Sequence, residues 1–181
     1  MSPGNDRAPP TDATQKPRLM MKWVHLELDL NTFDENRFLP YLHRSEQAGV
    51  NFTTIADLGD TTQCRRALYE LNKACSADIP GRGEFYTFEQ YVDQRIEVPT
   101  YDSRGVILAT YNDSWIGMAA TSIHNDYGIS DMTGVVTSWR GRGLSVAMKI
   151  LAIRFVRSQG SPIARLPSAH RHAETPGRSG L

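Results

Sequence analysis

The chain has 181 residues, of which 40% are hydrophobic and 22% are charged, as expected for one globular domain of ordinary size with polar tails. No apolar run approaches the roughly 20 residues of a membrane span, and residues 1–18 lack the apolar centre of a secretion signal. We therefore expect a cytoplasmic protein that makes no membrane contact.

Charge is distributed unevenly although the formal net charge is zero. Residues 140–181 contain eight Lys or Arg and one acidic residue, a net charge of +7, and the remaining residues carry −7. A basic segment of this kind favours a polyanionic ligand, either a phosphate-bearing cofactor or a nucleic acid. The cofactor is the favoured alternative, because the charges adjoin a glycine turn and are not interleaved with the aromatic residues of a single-strand binding surface.

The first two thirds of the chain alternate between strand and helix patterns. In chain order we predict a disordered leader (1–20), a strand (21–30), a helix (31–47), a strand (50–54), a helix capped by Thr61 or Thr62, a turn at 79–81, a helix (87–98) and a hairpin of two strands (104–111 and 115–124). Thr87 and Gln90 form a capping box for the last helix. Cys64 and Cys75 lie about 16 Å apart on one predicted helix, so we expect free thiols.

The most informative stretch covers residues 129–160, where a strand (129–137) leads through a short turn into a helix that ends at Ser158 or Gln159. The turn contains Gly141 and Gly143. The first amides of a helix have no partner within the helix and attract anions, and glycine lets a phosphate approach the backbone closely. This segment therefore predicts an anion-binding helix N-terminus.

The glycine spacing fits neither a Walker loop nor a dinucleotide fingerprint, because Val146 occupies the position of the third fingerprint glycine. The run Arg140-Gly141-Arg142-Gly143-Leu144-Ser145 instead resembles motif A of the GNAT superfamily of acyl-CoA N-acyltransferases. The resemblance extends over about residues 26–160. It is strongest to the C-terminal module of tandem-GNAT proteins, the group that includes mycothiol synthase-like enzymes.

This resemblance implies an α/β (α+β) fold for residues 21–166, with a mixed, mostly antiparallel sheet flanked by helices, followed by a disordered basic tail (167–181). It implies acetyl-CoA as co-substrate and no metal. The pantetheine arm would bind main-chain groups of Val135, Val136 and Thr137. The pyrophosphate would bind the loop residues Arg140, Gly141, Arg142, Gly143, Leu144 and Ser145.

The resemblance also implies direct transfer of an acetyl group to the primary amine of a small molecule, with a strand amide such as that of Val135 stabilising the oxyanion. His124 and Asp131 are the titratable candidates for the base that deprotonates the amine.

Two other functions follow from different features of the sequence. The chain lacks the usual C-terminal strands of the superfamily, which predicts a truncated, non-catalytic module that binds CoA weakly or pairs with a partner. An uncovered sheet edge in such a module would favour a homodimer. The basic C-terminal quarter alone would suit nucleic acid, with strongly salt-dependent affinity.

Overall fold

A computed structural model describes residues 20–79 and 83–172, with side chains described for 26–79 and 83–165. The contacts divide the chain into two units, Met1–Val24 with Ser168–Leu181, and His25–Pro167. Within the first unit, only the backbone of residues 20–24 and 168–172 is described, as the outer parts of two strands. All side-chain contacts reported below lie in the second unit.

Six strands and four α-helices form the described chain. They are β1 (Met20–Asp29), α1 (Leu39–Gln47), β2 (Asn51–Thr54), α2 (Thr62–Ser76), α3 (Phe88–Tyr91), β3 (Val106–Tyr111), β4 (Ser114–His124), β5 (Tyr127–Val135), α4 (Leu144–Ser158) and β6 (Ile163–His172). The strands form one sheet in the order β1-β6-β5-β4-β3-β2. The β2-β3, β3-β4 and β4-β5 pairs are antiparallel, and β5-β6 is parallel. The predicted fold class is confirmed.

Successive side chains of the central strands point to opposite faces of the sheet, so a hydrophobic core forms on each face. Ile107 and Ala119 pack with Met148 of α4, whereas Leu108 and Met118 pack with the apolar stripe of α2. The sheet therefore has α4 on one face and α2 on the other. No helix among the described residues combines the length and the apolarity needed to cross a membrane.

Two predicted helices differ from those observed. The region 31–47 contains a short 3-10 turn, Glu35–Arg37, and the helix begins only at Leu39. Pro40 lies in the first turn of α1, where its missing N–H costs no helical hydrogen bond. The region 87–98 begins with the predicted capping box, but after four α-helical residues it widens into a π-helical turn, Val92–Ile96.

The two ends of the described chain also refine the predicted boundaries. β6 continues to His172, so residues 167–172, predicted as tail, are extended in a strand. Strand pairing uses backbone groups and does not require the apolar alternation that this segment lacks. The predicted leader up to residue 19, the turn residues Pro80 and Gly81, and residues 173–181 lie outside the described residues.

Candidate functional site

The parallel strands β5 and β6 are paired at one end of β5. Their paired residues are Tyr127 with Ile163, Gly128 with Ala164, and Ile129 with Arg165. β5 continues to Val135, and Thr133, Gly134 and Val135 line a cavity of about 350 Å³. The space beside this edge of β5 is called the split.

A β-bulge marks the start of the split. On the β4 side, Ala120 is opposite Met132 and Thr121 is opposite Ser130, so Asp131 is an extra residue on β5. A bulge bends the strand and redirects the side chain at the inserted position. The bulge thus accounts for the placement of the Asp131 carboxylate.

The hydrogen-bond register shows which groups of β5 face the split. The Val136 amide donates to the Ile116 carbonyl at 2.9 Å, which makes Gly117 and Val135 a non-hydrogen-bonded pair of the antiparallel ladder. The backbone groups of Val135, and by alternation those of Thr133, therefore point away from β4 and into the split. The sequence did not single out Thr133, because its role depends on the register.

The backbone groups of the residues predicted to bind pantetheine differ in their partners. Val136 uses its amide on β4, and its carbonyl accepts a hydrogen bond from the Trp139 amide at 2.9 Å. Thr137 begins a 3-10 turn, and its carbonyl accepts from the Arg140 amide at 3.3 Å. Of the three predicted residues, Val135 alone has a backbone amide that the register directs into the split.

The loop between β5 and α4 presents a series of open amides. Gly141 and Gly143 have φ values of 76° and 82°, in the left-handed region that favours glycine. The backbone amides of residues 141–145 have no acceptor within the described residues, and the first amides with one are those of Val146 and Ala147, which donate to the Gly143 carbonyl. A cavity of about 350 Å³ adjoins the loop on the β5 side. These open amides are the groups that the sequence predicts for an anion.

The two loop arginines differ in the groups that they contact. Arg140 Nε donates to the Val135 carbonyl at 3.0 Å, and its Nη1 donates to Asp78 Oδ2 at 2.6 Å. Its guanidinium therefore ties the loop to the end of β5. Arg142 instead lies over the Trp139 ring, 4.5 Å from the centroid.

A second cavity on the other side of the loop contains another cation. Arg44 of α1 lines it together with Arg142 and Gly143. Neither guanidinium has a carboxylate partner within the described residues, so both can pair with a phosphate. Arg44 lies almost one hundred residues before the motif, and no sequence signal connected it to the loop.

Of the four other basic residues after position 140 whose side chains the structure describes, three make ion pairs. Arg154 and Arg157 both pair with Glu35, at 2.6 and 3.1 Å. Arg157 also donates to the carbonyls of Leu30 and Phe33, at 2.7 and 2.9 Å. These residues attach α4 to the segment that follows β1, so the local excess of positive charge at the loop is smaller than the sequence suggests.

Asp131 and His124, the two predicted titratable candidates, lie in one pocket on the α2 face of the sheet. The pocket has a volume of about 190 Å³. Ser122 connects them: its hydroxyl lies 3.1 Å from His124 Nε2, and it also hydrogen-bonds to the Asp131 carboxylate. The His124 ring stacks on Tyr127, with centroids 5.5 Å apart and an interplanar angle of 7°.

The pocket alters the acidity of Asp131. The carboxylate keeps solvent access through the mouth of the pocket, but burial by the surrounding walls raises its pKa above the ordinary value of 3.8. The hydrogen bonds from Ser122 and the positive charge of Arg95 oppose this increase. A carboxylate with a raised pKa is a stronger base than an ordinary aspartate.

Two buried oxygen atoms of residues that line this pocket have no hydrogen-bond partner among the described residues. Asn72, 8% exposed, donates through Nδ2 to Tyr91 Oη at 3.1 Å, but its Oδ1 is buried without a partner, as is the Tyr101 hydroxyl. Burial raises the pKa of Tyr101, so this hydroxyl stays protonated. Buried polar atoms normally have partners, and these two indicate a polar ligand. Asn72 interrupts the apolar face of α2, and this sequence signal could have identified it.

No protein-family model matches the chain. The chain is 31% identical over 98 residues to a mycothiol acetyltransferase of Streptomyces avermitilis, a match that covers 53% of this chain and 31% of the relative. The chain thus spans about a third of the curated relative it matches.

Solved structures of low sequence identity share the fold. A GCN5-related N-acetyltransferase from Sphaerobacter thermophilus aligns with a TM-score of 0.54 and 20% identity, covering 74% of this chain and 38% of that one. A GCN5-related glucosamine N-acetyltransferase region of a fungal multi-domain β-N-acetylglucosaminidase aligns with a TM-score of 0.59 and 14% identity, covering 86% and 20%. The chain therefore has the fold of these GCN5-related N-acetyltransferases.

Proposed function

We propose that the chain is an acyltransferase domain that uses acetyl-CoA and transfers the acetyl group to the primary amine of a small molecule. The observation that carries this proposal is the continuity of two open backbone surfaces. The unpartnered amides of residues 141–145 lead directly to the edge of β5 at Val135 and Thr133. A diphosphate followed by an extended amide-containing arm matches this sequence of donors.

The residues present fit such a co-substrate. The glycines at 141 and 143 leave the loop backbone bare, and the helix N-terminus favours negative charge. Arg142 and Arg44 add two guanidiniums without carboxylate partners among the described residues. Arg140 acts indirectly, by holding the loop against the Val135 carbonyl.

When bound, acetyl-CoA supplies an acyl group activated as a thioester. The Thr133 and Val135 amides face the split and can donate to a carbonyl oxygen there, which is the role of an oxyanion hole. Asp131, at the bulge, accepts the proton of an acceptor ammonium that enters from the pocket on the α2 face. Ser122 orients both the Asp131 carboxylate and the His124 imidazole.

The acceptor is a polar amine on this proposal. Asn72 Oδ1 and the Tyr101 hydroxyl offer buried hydrogen-bonding sites, and Arg95 contributes a positive charge at the wall. Donors and acceptors of this kind suit hydroxyl groups of the acceptor better than an aliphatic chain.

Calorimetric titration of the chain with acetyl-CoA tests the cofactor assignment, and titration with 3′-dephospho-CoA and with ADP serves as a control for the loop. Binding of acetyl-CoA followed by thiol release in the presence of polar amines supports the proposal. Failure of the folded chain to bind any CoA species refutes it.

The binding-only module is the second candidate, because the open loop amides and the edge of β5 concern the co-substrate alone. This candidate predicts that the chain binds acetyl-CoA in the same titration but releases no thiol with any amine. Localisation and oligomeric state remain predictions.

A further inference from the structure

A cavity of about 240 Å³ lies on the α4 face of the sheet, and the acetyl transfer proposed above does not require it. Its walls are almost entirely apolar. They come from β1, β4, β5, β6, α4 and the segment before α1, and include Leu28, Phe33, Phe38, Ile150, Ile153 and Val156.

The cavity adjoins the reacting position. Gly128 and Ser130 of β5 line it, whereas Asp131 and Met132, the next residues along the strand, line the acceptor pocket on the opposite face. Thr121 lines both spaces. The two spaces therefore lie on opposite faces of the sheet, next to the bulge at Asp131. The split beside β5 begins at the same point.

The direction of the split leads into this cavity. From Val135 to Ser130 this edge of β5 covers about 17 Å, running from the phosphate-binding loop towards the end where β5 and β6 pair. A thioester that lies along this edge has its sulfur towards the loop and its acyl substituent towards Gly128. The amine attacks from the acceptor face, so the acyl substituent is excluded from that face.

We propose that the cavity binds the apolar tail of an acyl group longer than acetyl, so that the preferred donor is a short- to medium-chain saturated acyl-CoA. This inference rests on the proposed function and specifies its donor. A space lined by Phe, Ile and Val side chains is much larger than a single methyl group requires, and burying methylene groups in it is favourable.

The two charged residues of the wall are compatible with the binding of an apolar tail. Arg165 pairs with Glu27 at 2.7 Å. Lys149 has no carboxylate partner in the part of the chain that the structure describes. Its aliphatic stem contributes to the apolar wall, and burial lowers the pKa of its ammonium group. The alternative, a tail that ends in a carboxylate paired with Lys149, is separated by the experiment below.

The test is calorimetric titration of the full chain with free CoA and with acetyl-, butyryl-, hexanoyl- and succinyl-CoA, which requires no acceptor. Two variants of α4 accompany it. Ile153→Trp fills the cavity, since Ile153 is a half-buried wall residue. Leu151→Trp is the matched control, because Leu151 is equally half-buried on the same helix but packs against the neighbouring core and not the cavity.

We expect the Kd to fall from acetyl- to butyryl- to hexanoyl-CoA, by up to about fourfold per methylene. Ile153→Trp should bind acetyl-CoA as the wild type does and lose the gain with chain length, whereas Leu151→Trp should keep it. Equal affinity for all the esters, or a gain that survives in Ile153→Trp, overturns the inference and leaves the proposed function standing. Tighter binding of succinyl- than butyryl-CoA also overturns it, in favour of Lys149. Failure of free CoA and all the esters to bind refutes the proposed function, and the inference with it.

Discussion

Two glycines of the chain form a matched pair for testing the phosphate-binding loop. Gly141 lies in the loop and Gly160 follows the C-terminus of α4, with φ values of 76° and 75°. A Cβ at either position would meet no atom within 4 Å. Gly141→Asp and Gly160→Asp therefore impose the same backbone strain and the same change of charge, and only the first places the charge in the loop.

The expected effects follow from the geometry. A left-handed conformation costs an L-residue about 1–2 kcal/mol, so this strain should lower the Tm of both variants by about 2–8 °C, and the helix macrodipole should make Gly160→Asp the less stable of the two. Two unit charges 4 Å apart repel by about 1 kcal/mol in water and about 4 kcal/mol at an effective dielectric constant of 20. Two phosphate charges near Asp at position 141 then weaken binding by at least about 2 kcal/mol, or about 30-fold in Kd.

Calorimetry with acetyl-CoA measures the affinity, and thermal unfolding measures the shared cost in stability. If both variants are folded at the temperature of the titration and bind acetyl-CoA equally well, the loop does not hold the phosphates and the reasoning fails. Gly143 is less suitable for this test, because a Cβ there would lie 2.5 Å from Cδ1 of Tyr41. We therefore expect Gly143→Glu to displace Tyr41 as well as to obstruct the loop.

Three further predictions concern other parts of the molecule. Because the pKa of Asp131 is raised, the rate of acetyl transfer should begin to decrease, as the pH is lowered, at a higher pH than for an ordinary aspartate. In a pH-rate profile, Asp131→Asn should abolish this decrease and lower the rate by about 10²–10⁴-fold. Arg157→Met removes hydrogen bonds to two backbone carbonyls and should cost about 2 kcal/mol in urea unfolding, whereas Arg154→Met removes one more exposed ion pair and should cost less than about 1 kcal/mol; equal losses would contradict this assignment. Burial raises the pKa of Cys75 to about 11, so a thiol reagent at pH 8 should modify Cys64 rapidly and Cys75 only after unfolding, and rapid loss of both thiols in the native protein would be inconsistent with the structure.

Much of the fold was predictable from the sequence, because its signals are local. The capping box at Thr87, the cap at Thr61 and the two-residue turn at Asn112 and Asp113 depend on neighbours within a few residues. The loop at 141–145 belongs to the same class, since strand, glycine turn and helix are consecutive in the chain. Helix limits at Leu39 and Tyr91 were less accurate, because proline placement and a π-helical turn modify the apolar pattern without removing it.

The composition of the site depended on contacts between distant residues. Arg140 has the sequence position of a phosphate ligand, but Asp78, 62 residues away, holds its guanidinium. Arg44 reaches the loop only because α1 packs against α4. Charge counted along the sequence cannot show which cations are already paired, since pairing is decided by distance in space.

The sequence by itself determined the order of strands and helices, the anion-binding loop and the two titratable candidates, His124 and Asp131. The tertiary structure decided which of these groups meet. Asp131 and His124 share Ser122 in one pocket because a bulge shifts the register of β5 against β4. The Thr133 and Val135 amides point away from β4 because Gly117 with Val135 and Ala119 with Thr133 are non-hydrogen-bonded pairs. Both features follow from the register between strands, which local sequence patterns do not specify.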